Sequence, residues 1–213
     1  ADPSTGLVYA AKGNKTSDFY SYDPDEDVWH NDLPPIEMGV EYKLPSKGCR
    51  GVCDGQGHVF MTKGNNTLGW WRYTVARDSW TQLTDVPLGT SGKKVKGGTD
   101  LAYVPFGTDE ESRTGSDLDP LNHRPLKSSS EYVYLLKGYK DEFWRYDVSG
   151  DSWHLLASPP RGQSQKWNPG SWLVAVADSA ASFSAAVGPS SPVLYAHKAK
   201  YHDFYSYAVR GDT

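Results

Sequence analysis

Lysine closes four short apolar runs of this chain: Val8-Tyr9-Ala10-Ala11-Lys12, Val59-Phe60-Met61-Thr62-Lys63, Val133-Tyr134-Leu135-Leu136-Lys137 and Leu194-Tyr195-Ala196-His197-Lys198. Ammonium groups gathered in one place suit an anion, whether an acidic peptide, a carboxylated sugar or a phosphate. Identity at every copy is also what a scaffold position requires. Each lysine would then pair with a nearby aspartate or fill a structural slot, and that reading weighs more for these four. Candidates for specificity lie outside the repeated positions: Tyr42-Lys43, Tyr139, Arg161, Lys166-Trp167 and Tyr201. Among them Tyr139, Trp167 and Tyr201 would offer ring faces to a sugar.

Other reactive groups are sparse. Cys49 and Cys53 are the only cysteines. On an extended segment they would point to one face about 13 Å apart, beyond disulfide reach, so two free, packed thiols are expected. His197 and His202 with Asp203 come nearest to a metal set, but their spacing is unspecific and no metal or other cofactor is predicted. No nucleophile elbow, phosphate-cradling glycine loop or dinucleotide fingerprint occurs. Asp27, Asp78 and Asp151 recur just before a tryptophan and read as turn residues, which leaves no assignable acid/base pair and no predicted catalytic residue.

These groups are positioned by a repeat. An aromatic pair and a tyrosine are followed seven residues later by tryptophan, as Tyr22/Trp29, Tyr73/Trp80 and Tyr146/Trp153. A fourth copy runs His202-Asp203-Phe204-Tyr205-Ser206-Tyr207, and its tryptophan is expected at position 214, so the chain is read as ending inside a unit. The tyrosines at 22, 73, 146 and 207 are 51, 73 and 61 residues apart, a period of about 50. The long interval has a source in residues 105–130, polar and without apolar periodicity, hence an inserted loop. Each unit holds a Gly-rich run, the run ending in lysine, the aromatic run with the tyrosine, and a run opening with the tryptophan. Such runs, separated by Gly, Asn, Asp and Pro, read as strands of antiparallel meanders.

The pattern resembles the kelch-repeat β-propellers. Tyr-x6-Trp is met at Tyr22/Trp29, Tyr73/Trp80 and Tyr146/Trp153, while the family's Gly doublet is replaced by Lys12-Gly13, Lys63-Gly64, Lys137-Gly138 and Lys198-Ala199. The resemblance implies an all-β propeller domain over 1–213 with units of about 7–47, 48–96, 97–169 and 170–213. About four four-stranded blades are represented, the first and last incomplete, with three, four, four and three strands. Propellers of this family usually have six or seven blades. That implies a fragment of a longer chain or a subunit completing its ring with another chain, in preference to a small four-bladed ring. Tyr22, Trp29, Tyr73, Trp80, Tyr146, Trp153 and Tyr207 would be scaffold residues wedged between blades. The loops after second and fourth strands would share a binding face carrying the lysines named above together with Lys15, Lys47, Lys93, Lys94, Lys96, Lys140 and Lys200.

The 213 residues carry a formal charge of −4, which argues against a broadly basic nucleic-acid surface, and no stretch approaches a membrane span of about 20 apolar residues. Ala1-Asp2-Pro3 lacks signal-peptide features, although a processed, secreted product fits as well, and an extracellular setting is favoured. Two glycosylation sequons, Asn14-Lys15-Thr16 and Asn65-Asn66-Thr67, and the tripeptide Arg210-Gly211-Asp212 are explained by loop repetition and turn chemistry. The expected function is a non-enzymatic module presenting a basic, aromatic loop face to a protein or carbohydrate ligand. Two alternatives stand beside it: a propeller enzyme on sugars, of the mutarotase or oxidase kind, and a structural subunit that completes a ring.

Overall fold

The computed structural model describes residues 1–37, 39–104, 131–176 and 192–209. The inserted loop 105–130, the end of the Gly-rich run past 176, and Arg210-Gly211-Asp212 lie outside them.

The described chain is all-β apart from one 3-10 turn at Val75–Arg77, and it folds into four antiparallel meanders. Sheet I holds β1 (Val8–Ala11), β2 (Phe19–Asp23) and β3 (Val28–His30). Sheet II holds β4 (Arg50–Cys53), β5 (His58–Thr62), β6 (Trp70–Thr74) and β7 (Ser79–Gln82). Sheet III holds β8 (Asp100–Val104), β9 (Tyr132–Leu136), β10 (Phe143–Asp147) and β11 (Ser152–Leu156). Sheet IV holds β12 (Trp172–Val176), β13 (Val193–His197) and β14 (Phe204–Ala208).

The register carries the repeat into space. Tyrosine and tryptophan are cross-strand partners in each completed hairpin, as Tyr22↔Trp29, Tyr73↔Trp80 and Tyr146↔Trp153. Each pair leans on an aromatic of the preceding sheet. Tyr73 and Trp80 meet Phe19 with ring centroids 5.1 and 4.9 Å away, and Tyr146 and Trp153 meet Trp70 at 5.5 and 5.3 Å. Tyr207 meets Phe143 at 5.2 Å. Each buried aromatic removes roughly 150–250 Å² from water, worth about 4–6 kcal/mol at about 25 cal/mol per Å², so these wedges can replace a large aliphatic core.

Burial follows position in the series. Every residue of β9, in sheet III, is buried, since a sheet lies on either side. In β14 of sheet IV exposed and half-buried residues alternate, the period of a strand covered on one face only. Sheet I packs on sheet II through Phe19, Ile36, Trp71, Tyr73 and Trp80. At the inner edge β8 lies beside both β4 and β12. Asp100 of β8 ties all three together: it pairs with Arg50 of β4 at 3.1 Å and accepts the Leu173 amide of β12 at 2.8 Å.

Candidate functional site

The meander topology sends the loops after second strands and the loops between sheets to one end of the molecule. Glycine at the mouths of sheets II and III lets the inter-sheet loops touch backbone to backbone. Gly48 (φ +91°) abuts Lys96, and Gly98 (φ +88°) abuts Trp167 and Asn168, where any Cβ would fall inside the neighbouring main chain. Main-chain hydrogen bonds continue the belt: Lys15 donates to Pro45, Asn66 to Val95 and Tyr139 to Trp167, at 2.8, 2.9 and 2.8 Å.

Three of the four repeated lysines are buried in this belt. Lys137 Nζ donates to the carbonyls of Pro87 (2.8 Å) and Leu88 (2.9 Å) in the loop arriving from sheet II, and to Glu142 Oε2 at 3.0 Å. Lys198 Nζ donates to the carbonyls of Arg161 (2.7 Å) and Ser164 (2.5 Å) in the loop from sheet III, with Asp203 at 3.7 Å. Lys63 Nζ reaches the Glu37 carbonyl at 3.2 Å in the loop from sheet I and lies 5.2 Å from the Trp71 ring centroid. Burial pushes all three ammonium groups below the usual lysine range. Lys12 is the exception: it is exposed and pairs with Asp18 at 3.0 Å. The chemistry of the set is therefore main-chain capture across a sheet junction, with Lys12 alone turned to solvent.

Acidic partners complete the clamps. Burial pushes the Glu142 carboxyl up, but hydrogen bonds from Ser91 and Lys137 outweigh it and hold the group below the usual range. Its Oε1 accepts the Ser91 amide at 2.6 Å, fastening loop 83–99 a second time. Asp203 accepts the Gln163 amide at 3.1 Å in the same way, so it serves a loop anchor. The nearby His197 stacks on Trp172 at 5.7 Å and His202 is exposed. Among the described residues no three His, Cys, Asp or Glu side chains stand together.

The non-repeated candidates divide. Trp167, expected as an exposed stacking platform, is wholly buried, with Lys198 Nζ 5.0 Å from its ring centroid and Tyr205 at 5.9 Å. The reason is a repeat hidden by substitution. Trp167 occupies the place of Pro45 and Val95, each buried and three residues before a positive-φ glycine, and three different side chains mask the equivalence. Tyr139 and Tyr201 are half-buried, Tyr139 under the Lys96 ammonium at 4.9 Å. Tyr42 stands out at 79% exposed with φ +48°, a costly backbone for a bulky residue and one that presents the ring to solvent. Lys43 donates to the Asn66 carbonyl at 3.3 Å, Arg161 is exposed with Asp141 at 3.7 Å, and Lys166 is exposed. Lys94 pairs with Glu41 on the same side.

Basic residues concentrate on the rim, where Lys15, Lys43, Lys47, Lys93, Lys96, Lys140, Lys166 and Lys200 stand beside the acidic Asp18, Glu41, Asp141, Glu142 and Asp203, while the opposite turns are mainly acidic, with Asp23, Asp25, Glu26, Asp27, Asp54, Asp78, Asp147 and Asp151 against Arg77. Three of those aspartates do more than turn the chain. Asp27, Asp78 and Asp151 accept the repeat tyrosine hydroxyls of Tyr22, Tyr73 and Tyr146 at 2.7, 2.6 and 2.6 Å. Asp54 accepts the His58 ring Nδ1 at 2.6 Å and the Gln56 amide at 2.7 Å, a turn-closing set that sequence reasoning missed. Cys49 and Cys53 are free, and burial pushes both thiols up to about 11. They line a 440 Å³ cavity between β1 and β4, together with Tyr9, Phe19 and Met61.

No family model and no curated protein sequence matches the chain. Among solved structures it is similar to a structural genomics protein of unknown function from Bacteroides thetaiotaomicron VPI-5482, with a TM-score of 0.52 at 16% identity over 95% of this chain. The chain spans 41% of that protein's length, and the likeness concerns the fold alone. The SapL1 lectin, solved with alpha methyl fucoside, aligns over 94% of this chain and 57% of its own at 14% identity and a TM-score of 0.44.

Proposed function

We propose that this chain is a non-enzymatic binding module built as part of a kelch-like β-propeller, and that its loop rim takes an anionic ligand, either a carboxylated sugar or an acidic protein segment. The observation that carries the reading is the set of buried lysines, Lys63, Lys137 and Lys198, each hydrogen-bonded to the main chain of the loop arriving from the preceding sheet. Those loops bear the exposed Tyr42, Lys93, Arg161 and Lys166. Clamping them in the free protein removes ordering entropy from binding, the general advantage of a preformed site. The basic rim on a net acidic molecule steers negative ligands to one end.

A titration against immobilised protein tests this with uronic-acid oligosaccharides, their uncharged counterparts and a poly-glutamate peptide. The expected result is binding of an acidic member that weakens with added salt and falls at least tenfold in a Lys43→Glu/Lys166→Glu double variant. Tyr42→Ala should weaken a sugar but spare the peptide. Equal binding of charged and uncharged ligands, or none at all, would refute the proposal.

A further inference from the structure

Four loops converge at the inner end of the rim. Lys47, Gly97 and Pro169 hold equivalent places there, each one residue before the glycine that precedes an inner strand. A Cβ at Gly97 would lie 3.7 Å from Lys47 Cβ, 3.0 Å from Pro169 Cγ and 3.6 Å from Tyr139 Cε2, so three inter-sheet loops and the loop after β9 close on this one residue. Gly138 abuts the Gly97 carbonyl, and its amide donates to Thr99 Oγ1 at 2.9 Å. Tyr139 follows with φ +64°. The equivalent residues are Asn14, Asn65 and Lys200, of which the asparagines tolerate the left-handed region. A bulky ring in that conformation is a strained exception, of the kind that collects at binding sites.

Positive charge gathers at the same point. Lys96 Nζ lies 4.9 Å from the Tyr139 ring centroid, and Gly48 brings the main chain after Lys47 against that of Lys96. Lys12, Lys94, Lys137 and Lys198 each face a carboxylate, but among the described residues neither Lys47 nor Lys96 has one within ion-pair distance. The Arg50 guanidinium of β4, by contrast, is engaged by Asp100 at 3.1 Å and by the Cys49 carbonyl at 2.9 Å. An extended peptide is bound through a strand edge or a groove. These loops are instead joined main chain to main chain, and they leave a compact cluster of two ammonium groups and a half-buried ring. Granted the rim reading on which it rests, we infer that this cluster is the selective centre of the rim and takes one uronic-acid residue of a saccharide. The carboxylate sits between Lys47 and Lys96, and the sugar lies against Tyr139. Both cations can then make charge-assisted hydrogen bonds without displacing an acid of the protein itself.

Calorimetric titration of the whole chain with trisaccharides of galacturonic and glucuronic acid, their methyl esters and a poly-glutamate peptide tests the assignment. An acid trisaccharide should bind saturably, with a loss of roughly tenfold or more for its methyl ester, for Lys47→Gln/Lys96→Gln and for Tyr139→Asn. Tyr139→Asn copies the residue found at positions 14 and 65, so its thermal midpoint should stay level or rise while binding is lost. A midpoint that falls together with binding would make Tyr139 a packing residue and overturn the assignment. Undiminished binding in either variant would do the same, and losses confined to Lys43→Glu/Lys166→Glu would then keep the rim reading and sink only its centre. Tighter binding of poly-glutamate than of either trisaccharide would give the site to a protein segment and also overturn it. Binding of no acidic ligand would defeat the rim reading and its centre together.

Discussion

Tyr146 and Tyr22 make the same hydrogen bond to an aspartate five residues on, in opposite surroundings. The Tyr146 ring is buried between sheets, and burial together with Asp151 pushes its hydroxyl well above the usual range, whereas Tyr22 is half-buried on one face of sheet I and Asp27 is exposed. Tyr146→Phe should therefore cost about 0.5–1.5 kcal/mol, the net worth of a part-buried hydrogen bond whose exposed carboxylate end water can reach, while Tyr22→Phe should leave the urea midpoint unchanged. Equilibrium urea unfolding of both variants checks the contrast. The thiols offer a chemical counterpart. With both raised to about 11 by burial, the thiolate fraction at pH 8 is small, and alkylation by iodoacetamide should run about a hundredfold slower than for a free cysteine near 8.5. The sign for stability follows: a folded pKa above the unfolded one favours the folded state below the unfolded value, and that contribution fades as pH climbs through about 9 to about 11. The thermal midpoint should decline over that window, and less steeply in a Cys49→Ser/Cys53→Ser variant.

Strands and their hairpins were the most legible elements. Tyr22, Tyr73 and Tyr146 with their tryptophans are cross-strand partners in three sheets because seven residues span one tight hairpin, a spacing visible as letters. Trp167 was illegible for the opposite reason. Its slot is specified by the glycine three residues later and by the loop it plugs, so Pro45, Val95 and Trp167 share a place without sharing chemistry. The partners of the lysines were also hidden, since main-chain carbonyls leave no trace in sequence. Packing between sheets makes its own predictions. Trp80, at 8% exposure, wedges against sheet I, and Trp80→Ala should cost about 3–5 kcal/mol. Trp29, at 58%, has a free face, and its replacement should fall within about 0.5 kcal/mol of zero. Asp100 links the inner strands through a half-exposed ion pair and a main-chain acceptor role. Asp100→Asn keeps an acceptor for the Leu173 amide and should be nearly neutral, whereas Asp100→Ala orphans that amide and should cost about 1–3 kcal/mol by thermal or urea melts.

At the scale of the molecule, the outer faces of sheets I and IV carry the same aromatic groups that the inner junctions bury, and among the described residues no sheet covers them. The stacked Tyr195 and Phe204 of sheet IV, 5.7 Å apart, repeat the Tyr134 and Phe143 pair that receives Tyr207, and Phe204 is 56% exposed. Tyr22 and Trp29 of sheet I repeat the wedge that the later sheets insert. Lys12 is exposed for the same positional reason, as no loop of a preceding sheet covers it among the described residues. The repeat made this arrangement readable from sequence as a row of similar units. Which lysines face solvent was not readable, because that depends on a neighbouring sheet and not on the residue. The central claim is that buried lysines hold the rim loops in place before any ligand arrives. Hydrogen exchange of the amides in loop 83–99, compared between the unaltered chain and a Lys137→Met/Glu142→Gln variant, tests it most directly. The account predicts protection of Ser91, Val95 and Thr99 amides in the unaltered chain, with at least tenfold faster exchange of Ser91 in the variant while β9 and β10 stay protected. Rapid exchange of those amides in the unaltered chain, or no change on removing the clamp, would contradict it.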